Sequence, residues 1–136
     1  MKKSIIMLIV VFCFVQQGFS QEKQQKKPCI KFDTRTYDFG KVKQDKGKIE
    51  ATFNFTNTGE DTLKILNVRA SCGCTSTNWT QEPVLPNKKG IIKAVYDTKG
   101  KSGEFQKNIF LTTNDPLNVR IILTIKGEVV SKKAIK

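Results

Sequence analysis

The chain contains no histidine, and its only two methionines, Met1 and Met7, sit at the extreme N-terminus. Beyond them it has no imidazole base and no soft or borderline metal ligand other than cysteine. That excludes Ser-His-Asp and Cys-His catalysis and histidine-rich zinc sites. Long apolar runs are scarce as well. The one present, IIMLIVVFCFV at 5–15, is 11 residues long, against the roughly 20 that a membrane-crossing helix needs. No later segment shows a sustained helical spacing of apolar side chains. Acidic residues are few, with Asp and Glu totalling 12 against 24 Lys and Arg, for a formal charge of +12.

What is present begins with a leader. Lys2 and Lys3 precede the apolar run, and Gly18 and Ser20 supply small residues before Gln21. This is the three-part layout of a secretory signal over 1–20. An uncleaved anchor fits the short run less well. Cys13 stands behind bulky Phe12 and Cys29 behind Pro28, so neither has the setting of a lipidation site. The expected location is therefore the periplasm or the medium, without a lipid anchor. Removing 20 of 136 residues leaves 116, and losing Lys2 and Lys3 takes the formal charge from +12 to +10. That length suits one domain with one core. Residues 21–29 read as a flexible polar linker, 30–130 as the domain and 131–136 as a basic tail.

The domain is patterned for strands. In 48–57, KIEATFNFTN, apolar Ile49, Ala51, Phe53 and Phe55 alternate with polar residues, which predicts a strand buried on one face. Residues 119–126 repeat the rhythm, with Val119, Ile121, Leu123 and Ile125 directed inward. Weaker runs lie at 30–33 with 37–42, 62–70, 90–97 and 104–113, and 76–80 adds a short piece. Turn residues separate them at 45–47, 57–61, 86–90, 99–101 and 114–116. About seven short strands at this spacing predict an all-β, immunoglobulin-like antiparallel β-sandwich rather than a closed barrel.

Particular residues carry a resemblance. The run from Val68 to Thr75 contains Ser71-Cys72-Gly73-Cys74-Thr75. Trp79, Pro83, Pro86 and Gly90 follow, and later Thr113-Asn114-Asp115-Pro116 and Gly127. Together with Tyr37-Asp38-Phe39-Gly40 and the stretch 53–59, they resemble a bacterial family known as domain of unknown function 1573. The likeness runs from about Ile30 to Val130. It implies an exported immunoglobulin-like module related to abnormal-spindle, major-sperm-protein and hydin-type domains, and it brings no activity with it. Asn87 stands where that family usually has glycine. Asn tolerates positive φ, so the turn is expected to survive.

Three cysteines follow the leader: Cys29, Cys72 and Cys74. Export permits disulfides, and the odd count leaves one thiol over. In an extended strand Cys72 and Cys74 would lie about 6.6 Å apart at Cα, the upper edge of disulfide geometry at about 6.8 Å. Gly73 offers a bend that brings them closer. In an up-and-down strand order, Cys29 opens the first strand and the Cys-Gly-Cys segment closes the third, roughly 20 Å or more away. Cys29 is therefore expected to pair with neither. The same order gathers Lys43, Lys46, Lys48, Lys99, Lys101, Lys132 and Lys133 around the two thiols. Glu60, Asp61, Asp115, Lys88 and Lys89 fall at the far end. Positive neighbours favour the thiolate.

Three readings of Cys72, Gly73 and Cys74 stand side by side: packing or a turn-shaping disulfide, a nucleophile and resolver for thiol exchange, or two thiolates for Cu(I). Zinc would need two more ligands. Trp79 is either a flanking ligand contact or a core residue, with packing favoured. Asp33, Asp38, Glu50, Glu82, Asp97 and Glu104 are scattered, and their spacing requires no catalytic pair. The basic residues show neither a groove-reading helix nor a basic-aromatic repeat, so nucleic acid is not the expected partner. The sequence is read as a non-enzymatic interaction module of the cell envelope. Its partner would be a protein or an anionic envelope component, and it needs no cofactor. Thiol-based redox or Cu(I) handling is the alternative.

Overall fold

The structure is a computed structural model that describes residues 24–131. The leader read at 1–20 and all of the tail but Ser131 lie outside the described residues. Eight strands form: β1 (Ile30–Phe32), β2 (Thr36–Lys43), β3 (Lys48–Asn57), β4 (Ile65–Ala70), β5 (Thr75–Trp79), β6 (Lys89–Asp97), β7 (Gly103–Thr113) and β8 (Arg120–Val130). They make two four-stranded sheets, ordered β1-β3-β6-β5 and β2-β8-β7-β4. The fold is thus an all-β sandwich of the immunoglobulin kind.

Alternation sets the inner faces. β3 and β6 bury every second side chain, so Ala51, Phe53, Phe55, Ile92 and Ala94 face Ile109, Leu111, Leu123 and Ile125 across the core. Tyr96 on β6 stacks on Phe105 of β7 with ring centroids 4.2 Å apart, joining the two sheets. Such stacked pairs add about 1 kcal/mol to the area they bury.

Four expectations are corrected. The first concerns strand number. The run from 30 to 43 is two strands, because the chain bends at 33–35 and changes sheet. β1 pairs with β3, while β2 pairs with β8. The second concerns order. The sheets are not up-and-down, since β2 lies parallel to β8. A bulge between Asp38 and Lys41 interrupts that ladder, and the Asp38 carboxylate accepts from Gly40 N at 2.8 Å.

The third correction concerns Val119, which is 48% exposed. Val119 precedes β8 in the turn that joins it to β7, where its carbonyl accepts from Thr113 N while its side chain stays outside, so the inward series starts at Ile121. The fourth concerns the linker, whose last three residues are docked. Glu60 N donates to Lys27 O at 3.0 Å and Thr58 N to Cys29 O at 2.8 Å, and Pro28 is buried. Gly59 permits this approach, because a Cβ there would collide with the backbone of Lys27, Pro28 and Cys29.

Asn87 adopts φ 63°, so the turn before β6 keeps the left-handed residue that glycine usually supplies.

Candidate functional site

The segment from Ser71 to Cys74 carries the chain from β4 in one sheet to β5 in the other. Backbone bonds hold it at both ends. Ser71 N donates to Asn108 O at 2.9 Å, Asp97 N to Cys74 O at 3.2 Å, and Thr75 N closes the turn onto Cys72 O at 3.3 Å. Cys72 and Cys74 are disulfide-bonded with Cα atoms 5.4 Å apart, and both are half-buried. Gly73 does not have positive φ, and a Cβ on it would meet nothing within 4 Å. The bend therefore does not require glycine. A three-residue ring constrains the unfolded chain little, and loop entropy puts its contribution at about 1.5 kcal/mol.

The two sulfurs have different surroundings. Cys72 Sγ lies 3.6 Å from the hydroxyl of buried Thr75. Cys74 packs against the edge of the core and lines a cavity of about 380 Å³, together with Gly73, Ser76, Val95, Asp97, Lys48, Lys99 and Lys101. Strand register builds this cavity. Lys48 stands opposite Asp97, Ser76 opposite Val95, and Thr75 opposite Tyr96. The 98–101 turn brings the remaining lysines. Buried Thr98 donates its hydroxyl to Gly47 O at 2.7 Å, and its backbone N donates to the same oxygen. That fastens the Lys99 turn to the one that carries Lys46. Lys48, Lys99 and Lys101 line the cavity with one carboxylate, Asp97, whose Oδ1 accepts from Lys99 N at 3.0 Å. The ion pairs among the described residues lie elsewhere, at Lys41–Glu128, Lys93–Glu50 and Lys126–Asp38.

Of the residues singled out in the sequence, Gly73, Cys74, Lys99 and Lys101 share this cavity, joined by Lys48, and Cys72 flanks it through the disulfide. Lys46 lies on the tied turn without lining it. Trp79 sits at the far end of β5, opposite Ile92 and packed against the core, away from the cysteines. Lys132 and Lys133 fall outside the described residues. Asp97, Ser76 and Val95 were not anticipated, and only knowledge of the β5–β6–β3 pairing would have found them.

The opposite end of the sandwich is built differently. Asn57 is fully buried. Its Oδ1 accepts from Cys29 N at 3.3 Å and Gly59 N at 3.0 Å, and its Nδ2 donates to Asp61 O at 2.7 Å and Val84 O at 2.9 Å. Asp115 is also fully buried. It accepts from Ile30 N and Asn118 Nδ2, each at 2.9 Å, from Leu117 N at 2.8 Å and from Asn118 N at 3.3 Å. Burial alone pushes the Asp115 carboxyl up, but these donors outweigh it and hold it below the usual carboxylate range. Cys29 is free and lies at this end.

A second cleft, about 530 Å³, lies along the β2 bulge between Gly40 and Gly127 and is lined by charges of both signs. No helix among the described residues is long and apolar enough to cross a membrane.

A family model described as "Protein of unknown function (DUF1573)" matches residues 30–129. Similar solved structures include a protein of unknown function from Porphyromonas gingivalis (TM-score 0.67, 16% identity, covering 82% of this chain and 51% of that one). The VesB protease of Vibrio cholerae aligns at TM-score 0.61 and 15% identity, covering 73% of this chain and 31% of that one. The ASH / PapD-like domain of human CEP192 aligns at TM-score 0.61 and 6% identity, covering 77% and 87%. The chain therefore spans about half of the Porphyromonas protein and about a third of VesB. At these identities the likeness is one of fold. No curated protein matches the chain.

Proposed function

Starting from the fact that this chain belongs to the DUF1573 family, we propose that it is an exported, non-enzymatic interaction module of the cell envelope that receives an anionic partner at its lysine-lined end. The observation that carries this reading is the cavity where Lys48, Lys99 and Lys101 converge beside the Cys72–Cys74 turn with Asp97 as the single carboxylate. Clustered positive charge in a concave surface attracts anions and raises their association rate. The same fold is found as a part of larger proteins, which suits a docking module. The leader-like first twenty residues and the disulfide both fit an oxidising compartment outside the cytosol.

The test is binding of the purified full chain to an anionic envelope polymer such as lipoteichoic acid or lipopolysaccharide, followed over a salt series. The reading expects affinity that falls steeply above about 0.15 M salt, where screening acts within roughly 8 Å. It also expects most of the binding to vanish in a Lys48→Ala/Lys99→Ala/Lys101→Ala variant that still folds. Binding unchanged in the triple variant would refute the assignment. A capture of unprocessed full-length chain inside the cell would refute the export step.

A further inference from the structure

We propose that the Cys72–Cys74 disulfide is a thiol-exchange site whose reactant is a thiol that also carries carboxylates. This rests on reading the lysine-lined end as a receiver of anions, and it names the chemistry that such an anion would undergo.

The placement of the bond carries the argument. It joins residues only two apart, and hydrogen bonds already tie the turn to β6 and β7, so it connects no elements that are otherwise loose. Cys74 and Gly73 both line the cavity, and a Cβ at Gly73 would meet nothing within 4 Å. Cys72 Sγ faces the Thr75 hydroxyl at 3.6 Å. Cys74 borders the lysine-bearing cavity and Cys72 Sγ stands beside a hydroxyl, so the two sulfurs are not equivalent toward an incoming thiolate. Lys48, Lys99 and Lys101 line the same cavity as Cys74.

The reaction balances without another reagent. A thiolate RS⁻ attacks Cys74 Sγ, and the new S–S bond forms as the Cys72–Cys74 bond breaks. The electron pair leaves on Cys72 Sγ, where the Thr75 hydroxyl donates to it. A second RS⁻ attacks the R-bearing sulfur of the mixed disulfide, releasing RSSR and the Cys74 thiolate. Two thiols are oxidised to one disulfide, the cysteine pair is reduced, and the two protons given up by the thiols end on the cysteines. Rates of such steps follow the thiolate available and access to the attacked sulfur.

The experiment follows free-thiol appearance in the oxidised full chain under mercaptosuccinate, 2-mercaptoethanol and cysteamine, compared at equal thiolate concentration. The proposal expects dianionic mercaptosuccinate to react on the order of tenfold faster than neutral 2-mercaptoethanol, with cationic cysteamine slowest. The spread should collapse in 1 M salt, where the screening length is about 3 Å, and in the triple lysine variant. Thr75→Val should slow all three reagents while leaving their order intact. Equal rates for the three reagents would overturn the proposal together with the anion-receiving role of this end. A bond that stays closed to all three in the folded chain, yet opens in urea, would overturn the exchange alone and leave salt-sensitive polymer docking standing.

Discussion

At the end of the sandwich where β1 meets the 57–61 turn, the polar side chains are sealed and saturated. Asn57 and Asp115 have no exposed surface, and between them they bond to backbone groups of β1, both flanking turns and the 84–88 segment. At the other end, roughly 25 Å away along a nine-residue β6, the cysteines are half-buried, the lysines are exposed and the sealed polar side chains are the hydroxyls of Thr75 and Thr98. Both ends connect strands across the two sheets. The difference shows what holds the fold. A buried amide that satisfies four backbone groups, or a buried carboxylate that satisfies three and a side-chain amide, cannot be removed without leaving those groups unpaired in a dry interior. A disulfide across two residues, with its turn already hydrogen-bonded, can be.

Substitutions at the two ends should therefore separate sharply. The largest effect is expected at Asn57. Asn57→Ala strands two N–H and two C=O groups, and at roughly 1 kcal/mol for each lost bond the cost is about 4 kcal/mol. Urea unfolding measures it, and a loss below about 1 kcal/mol would break the comparison at its strong end.

Asp115→Asn comes next, at about 2 kcal/mol near neutral pH, because an amide cannot accept from all the donors that the carboxylate serves. Asp115 is also a source of acid sensitivity. Its folded-state carboxyl lies below the ordinary value, so its stabilisation is fully present above about pH 4, the unfolded value, and is lost as pH falls through the folded value. Stability of the wild-type chain should drop over that acid window, and the Asn variant should show a shallower drop in the same pH series.

The double change Cys72→Ser/Cys74→Ser should cost no more than about 1.5 kcal/mol, read as a modest shift of the urea midpoint at unchanged slope. Gly73→Ala should fall within about 0.5 kcal/mol of wild type, since a Cβ there meets open space. A large loss at Gly73 would mean that the turn needs glycine after all.

Legibility followed locality. β3 coincides with the stretch 48–57 because four inward apolar residues alternate with charged and polar ones, and no other structure satisfies that rhythm. Asn87 was legible as a left-handed turn residue because that conformation is a property of one residue. β5, with sequence TSTNW, has almost no alternation and is a strand only because β6 pairs with it. The parallel β2–β8 pairing joins residues some ninety positions apart, and no local pattern encodes it. Val119 misled because its alternation continues into the turn before β8, where its carbonyl still accepts from Thr113 N but its side chain is left exposed. Asn57 and Asp115 read as ordinary turn residues, since burial depends on which distant chain covers them.

The lysines and cysteines were expected together from an up-and-down order that the sheets do not have. They converge nevertheless, because the antiparallel pairing of β3, β6 and β5 alone places Lys48, Asp97 and Thr75 at one end.

The claim that the fold depends on the Asn57 and Asp115 end and not on the disulfide is tested most directly by equilibrium urea unfolding with and without dithiothreitol. The account predicts one cooperative transition in both conditions, with the reduced chain no more than about 1.5 kcal/mol less stable. A reduced chain that unfolds without urea, or loses its single transition, would contradict it.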